Sequence, residues 1–545
     1  MANPVSARTG RLDRGEVHSA RLNEEARTHL LDQLDKLKTS FGANEAKRMQ
    51  AELERLARKK FRDVDSLIRC HELLLFIRAH PHNPTVLRLA EAQLRTFPDR
   101  VAELRDRDVD ISFLEHPSVS GIAGSSVIDT FSFYIVRELV RRFSSQVEIY
   151  WEWFESENRL AETWPRFMPL LEEDAQVEAN VPYRKWLDAA RGACSELSWL
   201  IERFDELPIS DKEKAELYDS QQIYVRWTPR FPSTRTGMRS TTRTVFYHDG
   251  PLIPRRDVRL KDELHAPPPP LRKLSPTEGE RAIDLARDAS TIRYRELYGF
   301  THADPKHVYQ AELGRGVQLF VTGLPPDKRL PLRASHAAMF FKNGVPLGYF
   351  EGLSLFERME SGLNLYYTFR DGETAWLYAR ILNVMHHLTG VTSFAIDPYQ
   401  IGYENEEGIE SGAFWFYRKL GFRPTQRAVL QLVEKEEQKI GTRKDYRTPA
   451  RTLRKLAESP MIFELDQQRA GDWDSFHVRK IGLRMQGRTF ESLTSLVKNL
   501  NSWSAAEKQL LEQIVRARSA AEETTYLKLM RQHERLRAEI IKLGS

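Results

Sequence analysis

From about Leu22 to Arg105 the apolar positions fall at helical intervals, as in Leu67, Leu74, Leu75 and Ile77 and then Val86, Leu89 and Leu94, with Pro81 and Pro84 dividing the two runs. A second apolar helical stretch spans Val127 to Phe143, and after the aromatic cluster Tyr150, Trp151, Trp153 and Phe154 helical material extends to about Phe204. This pattern predicts a helical domain over residues 21–223, preceded by a polar, basic, flexible tail over 1–20. The character changes next. Between Tyr224 and His248, Arg226, Arg230, Arg235, Arg239 and Arg243 occur with no acidic residue among them. Pro267 to Pro270 then lack the amide donors that a helix or an inner strand requires. Residues 224–273 are read as a basic segment and a proline-rich linker.

Residues 274–436 alternate between the two periodicities. A helix is expected around Thr277 to Tyr298, followed by extended segments Val317 to Val321, His336 to Phe341 and Val345 to Phe356. The last two are joined by Asn343-Gly344, the pair favoured in a two-residue hairpin. A strand from Leu363 to Phe369 leads through Arg370-Asp-Gly-Glu-Thr-Ala375 into a helix with Leu377, Ile381, Val384, Met385 and Leu388 inside and Gly390 as its stop. Strand Thr392 to Ile396 follows. Ala413, Phe416, Tyr417 and Leu420 then make one apolar helix face, Gly421 supplies its left-handed cap, and Phe422 restarts an extended segment. Residues 437–545 return to helix, with capping-box spacing at Ser504 and Glu507 and a stripe of Tyr526, Leu529, Met530, Leu536 and Ile540. The fold class is therefore α+β and multidomain: an N-terminal helical domain, a central mixed α/β sheet domain and a C-terminal helical region.

A chain of 545 residues is long enough for two to four domains. Its 41% hydrophobic, 29% charged and 10% aromatic content is that of folded protein. The net charge of +5 is what remains of 82 basic against 77 acidic side chains, so no global field implies nucleic acid or membrane as a partner. The most apolar short run, Leu73 to Ile77, is far short of the roughly 20 residues of a membrane span. With only Cys70 and Cys194, a disulfide framework and a cysteine-built zinc site are excluded, and a reducing cytoplasm is the expected compartment. His386 and His387 are adjacent and so do not form the i, i+4 pair of a zinc helix. No metal is expected.

The stretch from Ser411 to Pro424, with its alanine, phenylalanine, tyrosine, lysine, glycine and phenylalanine in order, resembles the closing helix and strand of the GNAT superfamily of N-acyltransferases. The helical regions added on either side resemble those of bacterial proteins in which a helical region precedes such a domain. The resemblance implies acyl transfer from an acyl-coenzyme A, such as acetyl-coenzyme A, to an amine on a small molecule or protein. It places the cofactor between splayed strands, here Leu363 to Phe369 and Thr392 to Ile396, with its pyrophosphate on Arg370, Gly372, Glu373, Thr374 and Ala375. Unpaired amides and the positive end of the helix dipole give that placement a physical basis. It also implies that Tyr417 protonates the departing thiolate and that Asn405 touches the cofactor. Glu351 and Asp397, at strand positions facing the crevice, are the candidate bases. The phosphate loop departs from the family pattern: Gly372 comes one residue early, and Glu373 stands where a glycine is usual. Asp371, Glu373 and Thr374 also suit an ordinary helix start.

Three functions follow. The first is acyl-coenzyme A-dependent N-acylation, with Glu404, Glu406, Glu407 and Glu410 in the 400–410 insertion favouring a cationic amine. The second is a noncatalytic GNAT-like scaffold that binds a protein partner through its helical regions. The third is RNA or transfer-RNA contact through Arg226 to Arg243, against which stand the modest net charge and the lack of a nucleic-acid motif.

Overall fold

The computed structural model describes residues 14–485, 500–520 and 522–545. It is α+β and divides into two compact units. One comprises the chain up to Ile128 together with 226–237 and 246–251; the other comprises 129–225, 238–245 and everything from Leu252 onward. The helical span expected over 21–223 is thus divided near Ile128. Of the expected tail, residues 1–13 lie outside the described residues, and Arg14 already opens the first helix.

The first unit is built from helices Arg14–Leu37, Ala43–Ala57, Val64–Ala79, Pro84–Leu94 and Phe97–Arg105. Asp63 and Asn83 cap two of them by accepting from Ser66 N and Val86 N at 2.7 and 2.9 Å. Leu67, Leu74, Ile77, Val86 and Leu94 are buried as the periodicity requires. Arg235 is an internal strut of this unit. It is 4% exposed, donates to Ser118 O at 2.8 Å and pairs with Glu72 at 2.9 Å.

The second unit carries a nine-stranded mixed sheet. In chain order the strands are β1 (Leu271–Lys273), β2 (Val308–Gly314), β3 (Val317–Thr322), β4 (Ala334–Lys342), β5 (Val345–Leu355), β6 (Arg358–Leu365), β7 (Ser393–Ile396), β8 (Arg423–Pro424) and β9 (Met461–Glu464). Their spatial order is β8-β9-β7-β6-β5-β4-β3-β2-β1. Neighbours are antiparallel except β6 and β7. The β4–β5 hairpin turns on Asn343 and Gly344, both at positive φ, as a two-residue turn demands.

Several boundaries differ from the sequence reading: the helical stretch expected from Val127 opens with a strand, Val127–Asp129, and becomes helix only at Phe133, and the helix expected to reach Tyr298 ends at Thr291. The strand expected at Leu363 to Phe369 begins at Arg358 and ends at Leu365, with Tyr367–Phe369 a 3-10 turn. Phe356 adopts φ 53°, so β5 reverses there, and the charged residues Glu357, Arg358 and Glu360 conceal the start of the next strand. Strand β9 lies in the region read as helical; four residues between Pro460 and Asp466 are too short to show a period. The proline run leads directly into β1, with Pro270 O accepting from Glu312 N at 3.2 Å, so it is a tied edge of the sheet.

The C-terminal helices Ala505–Ala520, Glu523–Arg531 and Glu534–Gly544 complete the core of this unit. Tyr526, Met530, Leu536 and Ile540 pack with Leu332, Leu355, Phe356 and Ile462. The capping box at Ser504 and Glu507 forms, with bonds of 2.7 and 3.2 Å. Among the described residues, no helix is long and apolar enough to cross a membrane.

Candidate functional site

Strands β6 and β7 run parallel but pair only from Arg358 to Glu360 against Ser393 to Ala395. Beyond that, β6 continues to Leu365 on β5 alone, while β7 ends at Ile396 and turns into the 3-10 segment Pro398–Ile401. The two strands therefore part at Ser361. Alternation along a strand sends Ser361 to one face and Gly362 to the other.

On the Ser361 face lies helix α1 (Thr374–Thr389), which packs its Tyr378 against the helix α2 (Ala413–Arg418). Ser361 Oγ meets Tyr378 Oη at 2.9 Å. The Tyr378 ring stands edge-on to Tyr417 at 5.6 Å, and Phe422 lies 5.6 Å from Tyr417 in turn. Tyr417 is 4% exposed, and burial holds its phenol above the ordinary value, so it is protonated throughout the neutral range. Gly421, at φ 104°, ends this turn where the sequence places its cap. In the sequence Tyr378 is spaced with Ile381 and Met385 and so reads as one more member of the apolar face of α1.

On the opposite face, Gly362 is paired with Glu351 and lies against Gln400, whose Nε2 is 3.5 Å from where a Cβ would stand. Glu351 is exposed on β5, and desolvation by its surroundings raises its carboxyl above the ordinary range. Two strand positions away, Tyr349 is pushed up to about 12, chiefly by burial, with Arg295, Glu351 and Glu407 as electrostatic neighbours. Candidate acid and candidate base thus occupy opposite faces of the strand gap.

Asp397 closes β7. Its Oδ1 accepts from Tyr399 N at 2.9 Å, and Oδ2 lies 3.4 Å from Arg479. It lines a cavity of about 320 Å³ with Arg358, Glu360, Tyr399, Tyr403 and Phe476.

The loop before α1 brings the remaining residues together with different commitments. Arg370 pairs with Glu407 at 2.5 Å and stacks 3.8 Å over Tyr367. Gly372 N closes a turn onto Phe369 O at 3.0 Å. Glu373 is the N-cap residue of α1, yet its side chain makes no capping bond. It turns inward instead, pairing with Arg315 at 2.7 Å and Lys342 at 3.3 Å and accepting from Ile253 N at 3.0 Å. It is therefore a buried counter-ion rather than a ligand of the loop. Removing that carboxylate from the helix entrance leaves the amides of Thr374, Ala375 and Trp376 with no acceptor among the described residues. Thr374 Oγ1 bonds back to Arg370 O at 3.4 Å, and Ala375 is buried. Asn405 caps a short helix, Glu406–Glu410, by accepting from Gly408 N and donating to Tyr399 O, so its amide is occupied locally.

His386 and His387 bond to the carbonyls of Val391 and Ala266 at 2.6 and 3.2 Å. Among the described residues there is no group of three His, Cys, Asp or Glu able to hold a metal ion. No protein-family model, curated protein or solved structure matches this chain.

Proposed function

We propose that this protein is an acyl-coenzyme A-dependent N-acyltransferase of GNAT-like fold. The observation that carries the reading is the parallel pair β6–β7, which separates after three residues, with the vacant amides of a 16-residue helix at the end of the loop that follows β6. A strand gap admits an extended pantetheine arm, and helix amides with their dipole favour a pyrophosphate. The order β7-β9-β8, in which the last strand inserts beside the parallel one, also suits the family likeness.

In this mechanism the amine lone pair attacks the thioester carbonyl carbon, forming C–N and placing the carbonyl π pair on oxygen, and the return of that pair then breaks C–S. Glu351 or Asp397 takes the ammonium proton, and Tyr417, kept protonated by burial, donates its proton to the leaving thiolate. Amides along the unpaired half of β6 are suited to receive the oxyanion.

A noncatalytic reading draws on two observations: Gln400 lies against Gly362 at the gap, and Arg370 is already paired. The internal roles of Arg235 and of Arg239, which donates to Asn343 O at 3.3 Å, weigh against nucleic-acid contact through that segment.

The test is calorimetric titration with acetyl-coenzyme A and with coenzyme A, on the unaltered protein and on Gly372→Trp and Arg370→Ala. Saturable binding that both variants weaken supports the reading, and Tyr417→Phe should then lower kcat by roughly a hundredfold or more. Absence of binding to the unaltered protein turns the reading to the scaffold.

A further inference from the structure

The cavity at the end of β7 has a charged floor, Arg358, whose one ion pair among the described residues sits near the outer limit of contact. Arg358 opens β6 with its side chain 9% exposed, flanked by the rings of Phe476 and Trp473 at 5.5 and 5.9 Å from its guanidinium carbon. Its nearest carboxylate is Glu360, at 3.8 Å, and none of the described residues forms a hydrogen bond with its guanidinium. Arg333, itself largely desolvated, draws on the same Glu360. Asp397 also bears on Arg358, but its oxygens are engaged by Tyr399 N and Arg479. No Arg358 nitrogen is among the sealed polar atoms that lack a partner, so its fork opens on the cavity, and a planar carboxylate is the group that matches it.

The rim is mixed, with exposed Arg479 and His477 beside its carboxylates. Glu404 and Glu458 are exposed carboxylates at the opening, and Tyr399 and Tyr403, 55% and 45% exposed, form its aromatic walls. A volume of about 320 Å³ lies at the small end of the range for metabolite sites. An anion subsite under a carboxylate-rich opening suits a small molecule that carries both charges.

We propose that this cavity binds a free amino acid, its carboxylate on Arg358 and its ammonium among Asp397, Glu404 and Glu458. Binding stands on the cavity alone; that this amino acid is the acyl acceptor, its amine delivered beside Asp397 at the strand gap, rests on the acyl-transfer reading above.

The test titrates the full chain calorimetrically with the standard L-amino acids one at a time, and then titrates any that binds against the amine lacking its carboxylate. At least one amino acid should bind saturably, its decarboxylated amine should bind roughly 30-fold more weakly or worse, and Arg358→Leu should cause a similar loss. No binding by any amino acid overturns the proposal, as does equal affinity for the decarboxylated amine or unchanged affinity in Arg358→Leu. If that variant does not fold, the comparison of amino acid with amine on the unaltered protein decides the point. A separate titration with acetyl-coenzyme A distinguishes failure of the transfer reading, which leaves amino-acid binding intact.

Discussion

Glu407 holds Arg370 at 2.5 Å, so the one cation of the 370–375 loop is already paired within the fold. Burial pushes the Glu407 carboxyl up, but its bonds to Arg370 and Tyr367 outweigh this and leave it below the ordinary value, so the pair persists into mildly acidic solution. If the loop receives a pyrophosphate, this carboxylate competes with it. Glu407→Gln should therefore tighten acetyl-coenzyme A by about three- to tenfold at low salt, and the gain should shrink as salt rises. Calorimetry at two ionic strengths checks this; an affinity that ignores the substitution places Arg370 outside the ligand path.

The candidate bases predict different pH profiles. Desolvation raises Glu351 above the usual 4.5, and a base works only when deprotonated. If Glu351 is the base, kcat/KM falls as pH drops through that raised value, giving an acid limb displaced upward from the ordinary glutamate range. Glu351→Gln then abolishes the limb and lowers kcat by roughly a hundredfold. A limb that survives in Glu351→Gln and disappears in Asp397→Asn assigns the role to Asp397.

The inward turn of Glu373 makes a stability prediction. Lys342 and Arg315 share its carboxylate, and both Lys342 and Glu373 are buried. Glu373→Ala leaves two cations without that neutralisation and should cost about 3–5 kcal/mol in denaturant unfolding. Burial lowers Lys342 to about 8 from 10.5, with Glu373 pulling the other way. Carrying the charge thus costs stability below pH 8. Between pH 8 and 10.5 the unfolded chain holds the proton that the folded chain has released, so this group's contribution improves as pH rises. Measured against Lys342→Met, the unaltered protein should gain stability across that window.

Much of the second unit was legible because its signals are local. Asn343-Gly344 fixes a hairpin through backbone conformation alone, and Gly390 and Gly421 stop helices by the same means. The residues that shape the site were legible as types but not in their commitments. Glu373 reads as a carboxylate beside a phosphate loop; only Lys342 and Arg315, brought in from β4 and the β2–β3 turn, turn it away. Arg358 falls between the strands expected at Val345 to Phe356 and Leu363 to Phe369, and its burial depends on Trp473 and Phe476, more than a hundred positions along the chain. Strand β9 is not legible in the sequence because Met461–Glu464 acquires strand character from pairing with β7 and β8, a property of topology rather than of four residues.

The C-terminal helices provide the last prediction. Glu523 is 4% exposed, pairs with Arg518 at 3.2 Å, and accepts from Ser335 N at 3.2 Å and Leu324 N at 3.4 Å. Arg518 donates in turn to Leu330 O at 3.0 Å, and Tyr526 to Leu332 O at 2.7 Å. These bonds tie the approach to β4, and so the centre of the sheet, to helices that begin beyond residue 504. Glu523→Ala strands the buried Arg518 charge and two amides and should cost about 3–5 kcal/mol. A chain ending at Glu436, where the sequence places the transferase-like domain boundary, lacks β9 and the apolar surface that covers Leu332, Leu355 and Phe356. It should be insoluble or lack a cooperative unfolding transition by circular dichroism, whereas a cooperative transition in that fragment would show the C-terminal helices to be dispensable to the sheet.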